Sequence, residues 1–198
     1  MTDAARTPDH PIDPLFTRRW SPRALTGEPI AEADLLSLLE AARWAPSAYN
    51  AQPWRFLYAH RETADWPAIF DGLIAFNQMW AAGASALVVV LSRSVSGPPG
   101  GDPQPNPWHA FDAGAAWASL AFQATLSGWV AHAMAGFDAE KIRANLGVPA
   151  AYAIHTVVAI GRQGDKSLLP EPLQARDAPN GRTPLTALAR AGRFSFED

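Results

Sequence analysis

The sequence contains no cysteine. That absence removes disulfides, thiol catalysis, iron–sulfur clusters and zinc–thiolate sites together, so any redox chemistry has to reside in a bound cofactor. Charge is also sparse, at 18% of residues with a net of −3, which argues against non-specific nucleic-acid binding as the main task. Long apolar runs are missing too; the longest, Ala86 to Leu91, is the size of a strand and far too short to span a bilayer. The start, MTDAARTPDHPIDP, is polar and proline-rich and has no apolar core of a secretory signal. The expected compartment is the cytoplasm. The five histidines show no metal-ligand spacing, so no metal site is expected.

What the chain does have is apolar residues, 48% of its 198 positions, enough for one domain with a real core. Residues 1–14 read as a flexible N-terminus. Ala31 to Trp44 has helical spacing, with Leu35, Leu38, Leu39 and Ala42 on one face, and Pro46 forbids its continuation. Trp54 to Tyr58 reads as a strand, Thr63 to Trp80 as helical, and ALVVVL at 86–91 as a strand buried on both faces. Residues 92–107 carry five prolines and three glycines, the composition of a surface loop and a candidate lid. Pro107 to Ser127 is a long helix rich in alanine, suited to close packing at the centre of the fold or in a subunit interface. Trp129 to Met134 reads as a short strand. Asp138 caps a short helix that Gly147 stops, and Tyr152 to Ile160 is the clearest remaining strand. From residue 161 onward the chain is a polar, proline-rich arm that needs something to lie across, for which a second subunit is a natural support. Helices alternating with short strands give an α/β or α+β sandwich without fixing strand order.

Two segments have the composition of a binding site. Arg18-Arg19-Trp20-Ser21-Pro22-Arg23 offers guanidinium groups and a hydroxyl, the donors that a phosphate monoester takes up. A solvated basic arm has the same composition, since arginine supplies 14 of the 16 cations. Pro46-Ser47-Ala48-Tyr49-Asn50-Ala51-Gln52-Pro53-Trp54 sets three hydrogen-bonding side chains between two prolines. A carboxamide there would match the alternating carbonyl and N–H edge of a flavin, although for the segment in isolation an ordinary polar helix-to-strand turn is the favoured reading.

Taken in order, RRWSPR, an amphipathic helix, EAARWAPSAYNAQPWRF, FNQMW before ASALVVV, the alanine-rich helix, GWVAHAMAGFD, TVVAIG and GRTPL resemble the nitroreductase family of FMN enzymes. The resemblance covers roughly residues 15–190. It implies one α+β domain over 1–198, an α/β sandwich with a mixed central sheet flanked by helices, in an intertwined homodimer with FMN at the subunit interface. By the same resemblance Arg19, Trp20, Ser21 and Arg23 match the phosphate and ribityl segment, and Asn77 an asparagine near the flavin ring. Pro46, Ser47, Ala48, Tyr49 and Asn50 match the loop lining the flavin, partly from the other subunit. Ala135 and Gly136 match the pair whose backbone approaches flavin N5, and Arg182 a cation in the C-terminal arm that closes on the phosphate. Gln52 and Trp54 are expected to support the loop.

No side-chain acid or base is implied; the flavin carries hydride from NADH or NADPH to a nitroaromatic, quinone or similar acceptor. Two departures stand out. Ala135-Gly136 replaces a Glu-Gly pair, and Trp80 stands where some members carry a lysine, which leaves the nicotinamide preference open. Tyr49, Trp80 and Trp108 would favour an aromatic substrate by stacking, and His109 is a candidate at the pocket mouth; packing is the competing role for Trp80 and Trp108. A flavin-binding protein without turnover, or a specialised activity such as reductive dehalogenation or flavin fragmentation, remains an alternative.

Overall fold

The computed structural model describes residues 6–97 and 101–196; residues 1–5 of the expected flexible N-terminus and 98–100 of the candidate lid lie outside the described residues. Its helices are α1 (Pro14–Arg18), α2 (Glu32–Arg43), α3 (Trp66–Phe70), α4 (Ala75–Ala81), α5 (His109–Leu126), α6 (Ala139–Leu146) and α7 (Glu171–Gln174). Its strands are β1 (Trp54–His60), β2 (Ala86–Arg93), β3 (Val95–Ser96), β4 (Gln104–Pro105), β5 (Val130–Met134) and β6 (Tyr152–Gly161).

The central sheet has the order β1-β2-β6-β5, and each of its pairs is antiparallel. It is covered on both faces, which explains the unbroken apolar run of β2. Alternate side chains go opposite ways: Leu87, Val89 and Leu91 pack with Ile69, Leu73, Trp80 and Ile142, while Ala86, Val88 and Val90 pack with Leu35, Leu38, Ala116 and Leu120. The α+β sandwich expected from the sequence is therefore the fold, but the sheet within the chain is antiparallel throughout rather than mixed, since each neighbouring pair of its strands runs in opposite directions.

Two expected elements differ. The single helix over 63–80 is two short helices with a break between them, because Leu73 pairs with Phe137 and the Ile74 N–H donates to the Gly136 carbonyl at 3.2 Å. These long-range bonds pull the chain out of helix and carry it to the end of β5. The 92–107 stretch is not all loop: β2 runs on to Arg93, and β3 and β4 form a small hairpin. The α6 caps are as expected, with the Asp138 side chain accepting from the Lys141 N–H and Gly147 left-handed at φ 63°. No helix among the described residues is long and apolar enough to cross a membrane.

Candidate functional site

The segment after α1 is held extended by β5. His132 Nδ1 donates to the Pro22 carbonyl at 3.0 Å, and the Arg23 and Ala24 N–H groups donate to the Asp177 carboxylate at 2.7 and 3.2 Å. Arg19 and Ser21 then face a cavity of about 340 Å³ completed by Trp117, Ala118, Ala121 and Phe122 of α5 and Ala133 of β5. Arg19 Nη1 donates to Ser21 Oγ at 3.2 Å. Trp20 is half-buried in the same segment.

Arg19 is the charged residue that lines the cavity, and Arg6 and Arg182 stand near it. Partial burial lowers the Arg19 guanidinium from its ordinary value, and repulsion by Arg6 and Arg182 lowers it further. Arg6 is shifted the same way, by desolvation and then by Arg182. Among the described residues no carboxylate forms an ion pair with any of the three. Sequence reasoning found Arg19 and Arg182 and missed Arg6. Its signal, one arginine in a polar start, is indistinguishable from a solvated charge.

A second group lies where β5 ends. Asn77 is 8% exposed on α4 and held at both ends, with a second N–H and a second lone pair to spare: its Nδ2 donates to the Gly136 carbonyl at 2.9 Å, and its Oδ1 accepts from Trp80 Nε1 at 3.3 Å. The Gly136 carbonyl thus takes two donors, Asn77 and the Ile74 N–H, while no acceptor among the described residues faces its own N–H. A Cβ on Gly136 would stand 2.8 Å from Asn77 Nδ2 and 2.5 Å from Ile74 Cδ1, so only glycine fits. On the segment that His132 and Asp177 hold, Arg23 Nε is buried with no hydrogen-bond partner. Burial, and after it Arg23, holds the His132 imidazole below its ordinary value, against the raising influence of the Pro22 carbonyl.

The expectation that Trp80 stacks on substrate is corrected here. Trp80 is 3% exposed, lies in the core against His132 with ring centroids 4.5 Å apart, and spends its N–H on Asn77. It orients the carboxamide that orients Gly136.

The Pro46–Trp54 segment is a strained loop. Tyr49, Asn50 and Gln52 have φ of 53°, 53° and 46°, in the left-handed region that costs ordinary residues of order 1 kcal/mol each. Asp112, 2% exposed on α5, pins it by accepting from the Ala48 N–H at 3.2 and 3.3 Å. Ser47 Oγ accepts from the Gln52 N–H at 3.0 Å, and Gln52 Nε2 donates to the Asn50 carbonyl at 3.1 Å. Gln52 therefore braces the loop, and Trp54 is buried beneath it. Pro46 and Asn50 are exposed, and Tyr49 is 97% exposed.

One chain does not bring this loop to the arginine cluster. Its anchor, Asp112, precedes the cavity-lining residues of α5 by five to ten positions, roughly 8–15 Å along the helix. Trp108 is exposed beside the loop's anchor. His109 is turned inward instead: its Nδ1 and the Nε2 of His155 lie 2.7 and 2.6 Å from the buried Ser92 hydroxyl. His155 is the bulged residue of β6, skipped between the Val90–Thr156 and Leu91–Ile154 pairs, which directs its ring onto Ser92. Burial, then His109, holds His155 below its ordinary value. Among the described residues no group of acidic or histidine side chains is arranged to hold a metal.

The sequence model of the nitroreductase family matches residues 16–79 and 73–162. An NADH dehydrogenase of Thermus thermophilus is 31% identical over 172 residues, covering 73% of this chain and 82% of that protein. An uncharacterised 15.4 kDa protein of Mycolicibacterium smegmatis is 38% identical over 124 residues, 62% of this chain and 80% of its own length. Among solved structures, one described as an oxidoreductase containing FMN superposes with a TM-score of 0.95 at 46% identity over 100% of both chains. A protein from Desulfovibrio desulfuricans, described as a nitroreductase in complex with FMN, shares the fold with a TM-score of 0.73 at 21% identity, covering 94% of this chain and 99% of its own.

Proposed function

The chain belongs to the nitroreductase family, and on that premise we propose that it is an FMN-dependent oxidoreductase working as a homodimer, with NADH or NADPH as donor and a nitroaromatic, quinone or similar electron-poor molecule as acceptor. The observation that carries this reading is the set of three guanidinium groups, Arg6, Arg19 and Arg182, with no acid partner beside a cavity that also presents the Ser21 hydroxyl. Like charges held together without a counter-ion are unfavourable until an anion arrives, and guanidinium forks suit phosphate oxygens.

The other end of the site fits a flavin as well. An unpartnered buried Arg23 Nε, a free Gly136 N–H and room for no side chain at Gly136 make a donor-rich cradle for a flat group that gathers negative charge on reduction. Arg19, Ser21 and Arg182 would hold the phosphate, Arg23 and Asn77 the ring edge, and Gly136 the ring through its backbone. Bound FMN would supply two-electron hydride exchange, from a reduced nicotinamide to the acceptor. The protein's own part is placement and electrostatics. Trp80 fixes Asn77, Asn77 and Ile74 fix Gly136, and Asp177 with His132 fixes the backbone from Pro22 to Ala24.

The homodimer rests on three features of the single chain. The loop at 46–52 presents Tyr49 and Asn50 to solvent, away from the cavity it is expected to wall. One face of α5 leaves Ala110, Phe111 and Gly114 uncovered, and nothing lies within 4 Å of the Cβ position of Gly114. The arm beyond residue 181 exposes Leu185, Leu188 and Phe194. A second copy covers all three and brings its own loop over the cavity. With no lysine at Trp80, the exposed Tyr49 and Trp108 rings are the surfaces left to select a flat aromatic acceptor.

Anaerobic mixing with NADH and with NADPH tests the enzyme reading. Loss of the yellow flavin colour with at least one donor, and its return on adding a simple quinone, is expected. A flavin that neither donor bleaches would contradict the oxidoreductase and leave a flavin-binding protein.

A further inference from the structure

We infer that Arg6 is the third cation of the anion subsite and sets its preference for a terminal phosphate dianion; the inference rests on the reading above that this site holds FMN. Arg6 lies ahead of residue 16, where the match to the family model begins.

Arg6 Nη1 donates to the Thr17 carbonyl at 2.7 Å and the Arg19 carbonyl at 2.8 Å. One guanidinium nitrogen thus clamps the end of α1 and the root of the Arg19–Arg23 segment, and fixes the backbone from which Arg19 reaches the cavity. The same segment is tied to the C-terminal arm, because Asp9 Oδ2 accepts from the Leu185 N–H at 2.7 Å. Arg182 stands three residues before that bond, and Arg6 three before Asp9. The two ends of the chain therefore arrive together, each with one arginine, at Arg19. Arg182 disfavours the charge of both Arg6 and Arg19, Arg6 disfavours that of Arg19 as well, and among the described residues no acid forms an ion pair with any of the three.

A terminal phosphate monoester carries about −1.5 to −2 at neutral pH and presents three acceptor oxygens. That matches three converging cations. A phosphodiester carries one charge and has substituents on two sides. Riboflavin has no phosphate at all and gains nothing from the cluster. Arg6 accordingly acts on FMN and is silent toward riboflavin, whereas a residue that merely shapes the fold affects both.

The test uses the full-length protein stripped of flavin, titrated with FMN and separately with riboflavin by quenching of flavin fluorescence, as wild type, Arg6→Ala and Arg6→Lys. Loss of one charge-assisted contact at a half-buried site weakens FMN binding by about 10-fold in Arg6→Ala. Riboflavin affinity stays within about twofold, the salt dependence of FMN binding becomes shallower, and Arg6→Lys recovers part of the loss. Equal weakening of both flavins, or unchanged FMN affinity, overturns the assignment of Arg6. Wild-type protein that binds riboflavin as tightly as FMN overturns the dianion preference. Wild-type protein that binds neither flavin removes the FMN reading itself, a result distinct from the others.

Discussion

Replacing Gly136 with alanine tests the packing that the site depends on. The new methyl would stand 2.5 Å from Ile74 Cδ1, 2.9 Å from Ile74 Cγ1 and 2.8 Å from Asn77 Nδ2. Ile74 is 48% exposed and can swing its end away at little cost. Asn77 cannot, because it is buried and holds both the Gly136 carbonyl and the Trp80 N–H. The clash is therefore relieved by displacing the carboxamide. Losing one net hydrogen bond, roughly 1 kcal/mol, with overpacking of about 1–2 kcal/mol, gives a loss of about 2–3 kcal/mol. For a chain of this size that lowers Tm by roughly 4–12 °C. Thermal unfolding with and without saturating FMN reads both consequences: the apo transition falls by that amount, and the gain from FMN shrinks because the donor set has moved. An unchanged apo Tm together with an unchanged FMN gain would refute the reasoning, since it would mean that the Asn77–Gly136 contact neither packs tightly nor belongs to the site.

Asp112→Ala frees the Ala48 N–H and the left-handed turns it anchors, so a loss of about 1–3 kcal/mol and faster proteolysis near residues 46–52 are expected; wild-type stability and cleavage would show that the loop holds itself. The Cβ position of Gly114 has nothing within 4 Å in its own chain and the residue is exposed, so Gly114→Leu should leave the fold intact while lowering the dimer fraction in sedimentation; an unchanged dimer moves the interface off this face of α5. Burial holds His132 and His155 below the ordinary imidazole value of 6.5, so the unfolded chain binds protons more readily than the folded one. Stability is then flat above that range and falls as pH drops through about 6.5 toward the folded values. Urea midpoints across pH should show this, and His155→Gln should make the fall shallower; an unchanged slope would detach His155 from it.

The fold was legible wherever a local pattern and its tertiary role coincide. The run at 86–91 reads as buried on both faces because it is, and Asp138 and Gly147 bound a helix by local backbone chemistry alone. The helix read through 63–80 failed because the sheet's end competes for its backbone. Gly72, whose carbonyl accepts from the Asp138 N–H at 2.8 Å, was the available warning. Arg19 and Arg182 could be named from motif order. Arg6 could not, since its significance arises only when both chain ends meet. The same holds for Asp112 and for the Ser92 hydroxyl between His109 and His155, ordinary residues until the fold assembles them. Trp80 shows the opposite error: an aromatic in a site-associated motif suggested a substrate surface, whereas its N–H serves the residue one helical turn away.

The central claim is a flavin site completed by two copies of the chain, and native mass spectrometry of the purified protein tests it most directly. A dimer that carries one FMN per chain and loses FMN when it dissociates is expected. A monomer that retains FMN, or a dimer that binds none when supplied with it, would rule out a flavin site shared between two copies.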